Sequence, residues 1–405
     1  MKKIFLFLLL IANLTYAENL SEIVKIAYKN HPKLKAIEEK LKALKARETF
    51  ETSLPDPVVN FSINDIQIFY KPFARDLEPM QTINIGISQK IPYLPKLRLK
   101  SLIIKTIYDK TYYKLKAEKQ EIIYQIYKNL YLYWQIKEKL KIINEYKEIA
   151  RQLIGFSNTL YSVGRVSQAE VFNANVFYSE LLQKEVFLKG RLKQIKANLR
   201  YYANLKLDTS NISLPTPREI SGLNTFIETM KNNNPELMFV NISIEEAKKK
   251  VKLAELDYKP DFTVFGSYSY RDVYRDYISF GISFNIPIWA KKRQDKKVLE
   301  ETNLKLEKIK IYKDKYNLLK SKLEENFFKA KTAYESYKIF SQLLKPQTEK
   351  VYESILSEYQ VGEKNIFDVL KALKQILTVK LKLIDEIVNF HIAYKTIERL
   401  AGVIK

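Results

Sequence analysis

Residues able to do chemistry are few in this chain of 405 and poorly placed to act together. His31 and His391 are the only imidazoles, and they stand near opposite ends. There is no cysteine, which excludes disulfides, thiolate metal sites and a lipidated N-terminal cysteine. Four methionines, one of them the initiator, make no soft-metal ladder. The nine glycines include no phosphate-cradling loop and no nucleophile elbow. No nucleophile, base and orienting group come together in the pattern that catalysis demands. The expectation is a protein with no catalytic site, no metal site and no cofactor.

Charge is the other chemical resource. The formal net charge is +23, or +21 without Lys2 and Lys3, a balance that would suggest nucleic acid in a cytoplasmic protein. The lysines are interleaved with glutamates, as in Lys320 to Glu325, in the manner of solvated helix faces. The chain also begins like an exported one. Lys2 and Lys3, the apolar run Ile4 to Leu14 and Thr15-Tyr16-Ala17 make the three parts of a secretory signal over 1–17, with Glu18 as the first mature residue. An N-terminal anchor is the alternative, but the run is well short of the roughly 20 apolar residues that span a bilayer. Export argues against a nucleic-acid partner. No later segment is apolar enough for a membrane helix, so any crossing must use strands.

Two segments have the period of such strands. In Thr82 to Pro92, Ile83, Ile85, Ile87 and Ile91 share one parity, and Asn84, Gly86, Ser88 and Lys90 share the other. In Ile278 to Pro287, Ile278, Phe280, Ile282, Phe284 and Ile286 oppose Ser279, Gly281, Ser283 and Asn285. A period of two gives each set its own face. About 9 to 11 residues suit a transmembrane strand. Partners near Val58 to Phe69 and Phe262 to Tyr270 alternate less cleanly. A soluble sheet with one buried face has the same pattern. The aromatics favour lipid: Phe69, Tyr70, Phe73, Tyr268, Tyr270, Tyr274 and Tyr277 gather near the loop ends, and Tyr93 and Trp289 near the opposite ends.

These strands belong to a repeat. Ile85-Gly86-Ile87-Ser88 matches Phe280-Gly281-Ile282-Ser283, 195 residues on, and Tyr161-Ser162-Val163-Gly164 matches Tyr359-Gln360-Val361-Gly362, 198 residues on. His31-Pro32 and Pro55-Asp56 have counterparts in Asn234-Pro235 and Pro260-Asp261. The plan is a first repeat over 18–207, a Pro/Gly-bearing linker over 208–224 and a second repeat over 225–405. Each runs helix, strand, strand, long helix, turn, helix. The first helices cover about Leu20 to Glu51 and Phe226 to Tyr258, each broken early by proline. Pro55, Pro92, Pro260 and Pro287 mark barrel-to-helix junctions, because proline fits neither a ladder nor a helix interior.

Beyond the strands, Ile123, Ile126, Leu130, Tyr133, Ile136, Leu140 and Ile143 step by three or four. So do Ile309, Tyr312, Tyr316, Leu319, Leu323, Phe327, Ala330, Tyr334 and Tyr337. Such stripes pack long helices side by side. A helix over 96–154 would be about 90 Å long, and Pro346 should kink the later one. Four strands per chain cannot close a barrel, whose minimum is about eight, and open edges are not tolerated in lipid. The chain must assemble: two copies give a filled lumen, whereas three give twelve strands and room for a conduit.

In these landmarks the chain resembles the TolC family of outer-membrane efflux proteins. The resemblance rests on the Asn30-His31-Pro32 and Asn233-Asn234-Pro235 openings, the Pro-Asp pairs and the Gly-Ile-Ser strands ending in Ile-Pro. It also rests on the Tyr-x-Val-Gly turns followed by Glu170-Val171 and Asp368-Val369. Glu78-Pro79-Met80-Gln81 is similar to members that work with heavy-metal efflux pumps. The resemblance implies a mainly α fold with transmembrane β structure. Long α-helical hairpins would form a periplasmic α-barrel, and four strands per protomer would contribute to a trimeric 12-stranded β-barrel in the outer membrane. It implies a passive duct for efflux or type I secretion. Its partners would be a periplasmic adaptor (membrane fusion) protein and an inner-membrane pump of the resistance-nodulation-division or ABC type.

It further places Tyr161, Gly164, Arg165 and Glu170, with Tyr359, Gly362, Lys364, Asp368 and Lys371, at the periplasmic tip and gate. Three copies of Asp368 about a threefold axis would bias ion passage. Alternatively, Lys364 and Asp368 form an ordinary i,i+4 surface pair. Where some relatives carry a second acidic residue one turn on, this chain has Lys371, so the ring is not purely acidic. The rival reading is a soluble periplasmic coiled-coil adaptor or scaffold.

Overall fold

The computed structural model describes residues 31–69, 71, 73–203 and 213–404. The leader expected at 1–17, the expected start of the first helix, Tyr70 and the first residues of the expected linker lie outside them. The elements follow one plan twice. The first round is α1 (Pro32–Thr52), β1 (Val58–Asn64), β2 (Thr82–Ile91), α2 (Leu94–Ser162) and α3 (Gln168–Ala203). The second is α4 (Leu223–Asn233), α5 (Pro235–Leu256), β3 (Phe262–Tyr270), β4 (Tyr277–Phe284), α6 (Gln294–Ile339), α7 (Lys345–Gln360) and α8 (Ile366–Ala401). The chain forms two compact units, each drawn from both repeats. One holds residues 37–114 and 236–315. The other holds 31–36, 115–235 and 316–404.

In the first of these units the four strands make one antiparallel sheet in the order β1-β2-β3-β4, so the central β2–β3 ladder joins the repeats. Pro55, Pro92, Pro260 and Pro287 each lie in a short segment between a helix and a strand, where a fixed φ and a missing N–H cost nothing. β1 is shorter than the Val58 to Phe69 expectation because Asp65 adopts a left-handed φ of 55° and ends the strand. The buried Gln81 side chain then organises the loop. Its Nε2 donates to the Asp65 and Ala74 carbonyls at 3.2 and 2.8 Å, and its Oε1 accepts from Leu77 N at 3.2 Å. Leu41, Leu44, Leu97, Ile103, Val251 and Ala254 form the buried helical part of this unit.

The helical unit is built on the α2 stripe. Ile123, Ile126, Leu130, Tyr133, Ile136 and Ile143 are buried and cluster with Phe177 and Leu181 of α3 and Leu373 and Leu377 of α8. Each fully buried large side chain contributes on the order of 1.5–3 kcal/mol. The α6 stripe is covered only in part. Leu319, Leu323, Phe327 and Ala330 are buried, whereas Ile309 is 41% exposed and Tyr312 and Tyr316 are half-buried. A helical period marks a packing face, but burial also needs a facing partner, which the described residues do not supply along the whole stripe.

The disturbance expected at Pro346 takes the form of a π turn at Phe340–Leu344, immediately before α7. There the Lys345 N–H reaches the Phe340 carbonyl, five residues back, and the widened turn accommodates the proline ring. The other helix break, at Asn234, has the extended ψ of 118° that a following proline imposes. Its Nδ2 donates to the Leu400 carbonyl at 2.8 Å.

Candidate functional site

The sheet register sorts side chains into two chemically different faces. Residues in cross-strand register share a side, and neighbouring rows alternate. One set of rows reads Ile63-Ile83-Tyr270, Phe61-Ile85-Tyr268-Ile278, Val59-Ile87-Gly266-Phe280, Gln89-Val264-Ile282 and Ile91-Phe262-Phe284. The other reads Asn64-Thr82, Ser62-Asn84-Ser269-Tyr277, Asn60-Gly86-Ser267-Ser279, Val58-Ser88-Phe265-Gly281 and Lys90-Thr263-Ser283. The first face is apolar yet open in the single chain: Phe280 is 84% exposed, Phe61 68% and Ile282 67%. An uncovered apolar face of this size marks a surface that meets lipid or protein. The second face carries a shallow hollow lined by Asn60, Ser62, Asn84, Ser88, Ser267 and Ser279. Two glycines make way for rings. A Cβ on Gly281 would lie 2.2 Å from the Phe265 ring, and one on Gly266 would lie 3.3 Å from Phe280, on the opposite face. Among the described residues, the outer edges of β1 and β4 pair with no strand.

Both ends of the sheet are tied by polar side chains. At the loop end, Arg271 donates to the Pro79 carbonyl at 3.1 Å and lies over the rings of Tyr274 and Tyr277. At the helix end, Asp261 Oδ1 accepts from Tyr93 N and Lys96 Nζ, each at 3.0 Å, and Lys96 also donates to the Lys259 carbonyl. Burial pushes the Asp261 carboxyl up, but the Tyr93 N–H and the Lys96 ammonium outweigh it and hold the pKa below its usual value.

At the other site, the two Tyr-x-Val-Gly turns share one geometry. Gly164 and Gly362 have φ of 72° and 88°. Their N–H groups reach the carbonyls of Tyr161 and Tyr359, while Arg165 and Glu363 reach those of Leu160 and Glu358. This pair of hydrogen bonds closes a helix on a left-handed residue. The environments of the two tyrosines differ: Tyr161 is 46% exposed, whereas Tyr359 is buried and packs edge-on to Phe156 at 5.6 Å. Glu170 crosses between the repeats and accepts from Ile366 N at 3.5 Å, at the start of α8.

Asn365 caps that helix, its Oδ1 accepting from Asp368 N at 3.1 Å. Lys364 stands 3.8 Å from Glu358 and does not pair with Asp368, so the i,i+4 alternative is set aside. Asp368 lies in the first turn of α8, where its backbone N–H is taken up by the Asn365 cap. Lys371 is exposed one turn further on. Among these residues Asn365 is an addition to the tip set, and an Asn three residues before Asp368 is a recognisable cap signal. Lys96 is an addition too, and no local pattern marks it, whereas Gln81 belongs to the Glu78-Pro79-Met80-Gln81 motif, which does not disclose its role in the loop.

A family model described as outer membrane efflux protein matches residues 226–403. Over these residues the chain is similar to outer membrane efflux proteins. No curated protein matches by sequence. The efflux-protein fold extends over nearly the whole chain. The outer-membrane channel OprN superposes with a TM-score of 0.82 at 12% identity over 95% of this chain and 89% of OprN. The CmeC outer membrane channel of Campylobacter jejuni gives 0.78 at 17% identity over 95% and 86%. The outer membrane protein VceC of Vibrio cholerae gives 0.79 at 13% identity over 96% and 97%. At these identities the likeness is one of fold, and nothing in these matches favours the soluble adaptor reading.

Proposed function

We propose that this chain is one protomer of a trimeric outer-membrane efflux duct, with most of its length in the periplasm. A sheet with one open apolar face, one hydroxyl- and amide-lined face and two unpaired edges supports the reading most directly. In lipid such edges need strands from further copies, and three copies of a four-stranded sheet make twelve strands around a water-filled lumen. The duct catalyses no reaction. An adaptor protein and an inner-membrane pump open it at the Tyr161–Glu170 and Tyr359–Lys371 tips, the pump supplying the energy.

The test is native mass spectrometry of the detergent-purified protein followed by planar-bilayer recording. A trimer with discrete conductance steps is the expected result. A monodisperse monomer in detergent-free buffer, with no steps, would overturn the reading.

A further inference from the structure

Of all the residues in β1 to β4, only Lys90 carries a charge at neutral pH. It is exposed and in register with Thr263 and then Ser283, and therefore lies on the polar face, in its row nearest the helix junctions. The remaining rows of that face offer mainly Asn, Ser and Thr, neutral groups that both donate and accept. No acidic side chain pairs with Lys90 among the described residues. Asp261, at the same end of the sheet, is already engaged by the Tyr93 N–H and Lys96, and Lys90 acts on it only as the weakest of several influences. Asp56, two residues before β1, shares the parity of Val58 and also makes no pair with it. At the equivalent place in the second repeat stands Asn285, which adds no charge.

We propose that Lys90, once per protomer, forms a cationic ring in the strand-lined segment of the duct and makes that segment favour anionic solutes. This inference rests on the channel reading above. Rings of one sign bias permeation through fixed charge alone and need no binding pocket. Three charges about 10 Å from an axis, screened over a Debye length of about 10 Å at 0.1 M salt, bias passage roughly twofold.

The experiment is the reversal potential of single trimers in planar bilayers under a potassium chloride gradient, for the wild-type protein and Lys90→Gln, Lys90→Glu and Lys90→Arg. Lys90→Gln should shift the chloride-to-potassium permeability ratio toward potassium roughly fivefold, since each ion is biased about twofold in opposite senses, and Lys90→Glu roughly twentyfold, while Lys90→Arg keeps the wild-type value. These differences should fade near 1 M salt, where the Debye length is about 3 Å. If Lys90→Glu assembles poorly, the contrast between Lys90→Gln and Lys90→Arg decides alone. Clear channel steps with one reversal potential shared by all variants would overturn the inference and leave the channel reading standing. A wild-type protein without steps would overturn the channel reading, and the inference with it.

Discussion

Gly402 is more constrained than either turn glycine. All three have positive φ, but a Cβ on Gly164 or Gly362 would meet nothing within 4 Å, whereas one on Gly402 would lie 2.4 Å from the backbone carbonyl of Asn233. Gly362→Ala should therefore cost about 1 kcal/mol, for the left-handed backbone alone. Gly402→Ala should cost about 3 kcal/mol or more, because the α8 terminus must also move away from Asn233. Denaturation of the purified protein ranks the two, and equal losses would refute the close approach.

His391 offers a second residue-scale test. Its Nε2 lies 2.8 Å from the Pro215 carbonyl, which can only accept, so that nitrogen carries the proton. Burial lowers the pKa of His391 below the ordinary 6.5, the Pro215 bond opposes this, and Lys395 and Arg218 lower it further. A depressed pKa means that folding favours the neutral form. The contribution is complete above 6.5 and is lost as the pH falls through the folded value. Wild-type protein should therefore lose more stability than His391→Gln between about pH 7 and pH 5. Parallel melting curves for the two would exclude this role.

At the scale of elements, the sheet faces can be tested with neighbouring residues. Phe280 and Ser279 are adjacent in β4 but belong to rows on opposite faces. A lysine facing the middle of a bilayer costs about 2–4 kcal/mol, whereas one facing a water-filled lumen costs little. Phe280→Lys should therefore sharply lower the yield of protein folded into lipid vesicles, and Ser279→Lys should leave it near wild type; equal yields would contradict the assignment of the faces. These faces are legible in the sequence because the strand period is local, and Ile83 to Lys90 sort by parity alone. Parity also sets Gln89 among the isoleucines, but which strands pair is not legible there, nor that the Gln89 amide bonds to the Pro55 and Lys90 carbonyls. The end of β1 is likewise hidden, because Ile66, Ile68 and Phe69 continue the apolar composition past the left-handed Asp65.

On the scale of the whole molecule, the residues proposed for the tip would act through assembly. If copies of Asp368 and Lys371 narrow a shared entrance, Asp368→Ala and Lys371→Ala should each raise single-channel conductance, and the double variant should raise it further. Asp368→Ala should also cost about 0.3–1 kcal/mol, since an acidic residue in the first turn of α8 complements the helix dipole. Unchanged conductance in all three variants would remove both residues from the gate. By itself the sequence determined the twofold plan, the two-faced strands and the proline junctions, and its strand count carries the proposal of further copies. Each of these is written in periodicity, in residues with fixed backbone preferences, or in a strand count too small to close. Only the tertiary structure decided that the compact units cut across the repeats, and that Tyr359 is buried while Tyr161 is exposed. It also decided that Glu170 reaches the start of α8 and that Lys96 meets Asp261. The physical reason is distance along the chain: these partners lie 196 and 165 residues apart, and no local pattern encodes which distant group will complete a buried charge or an open helix end.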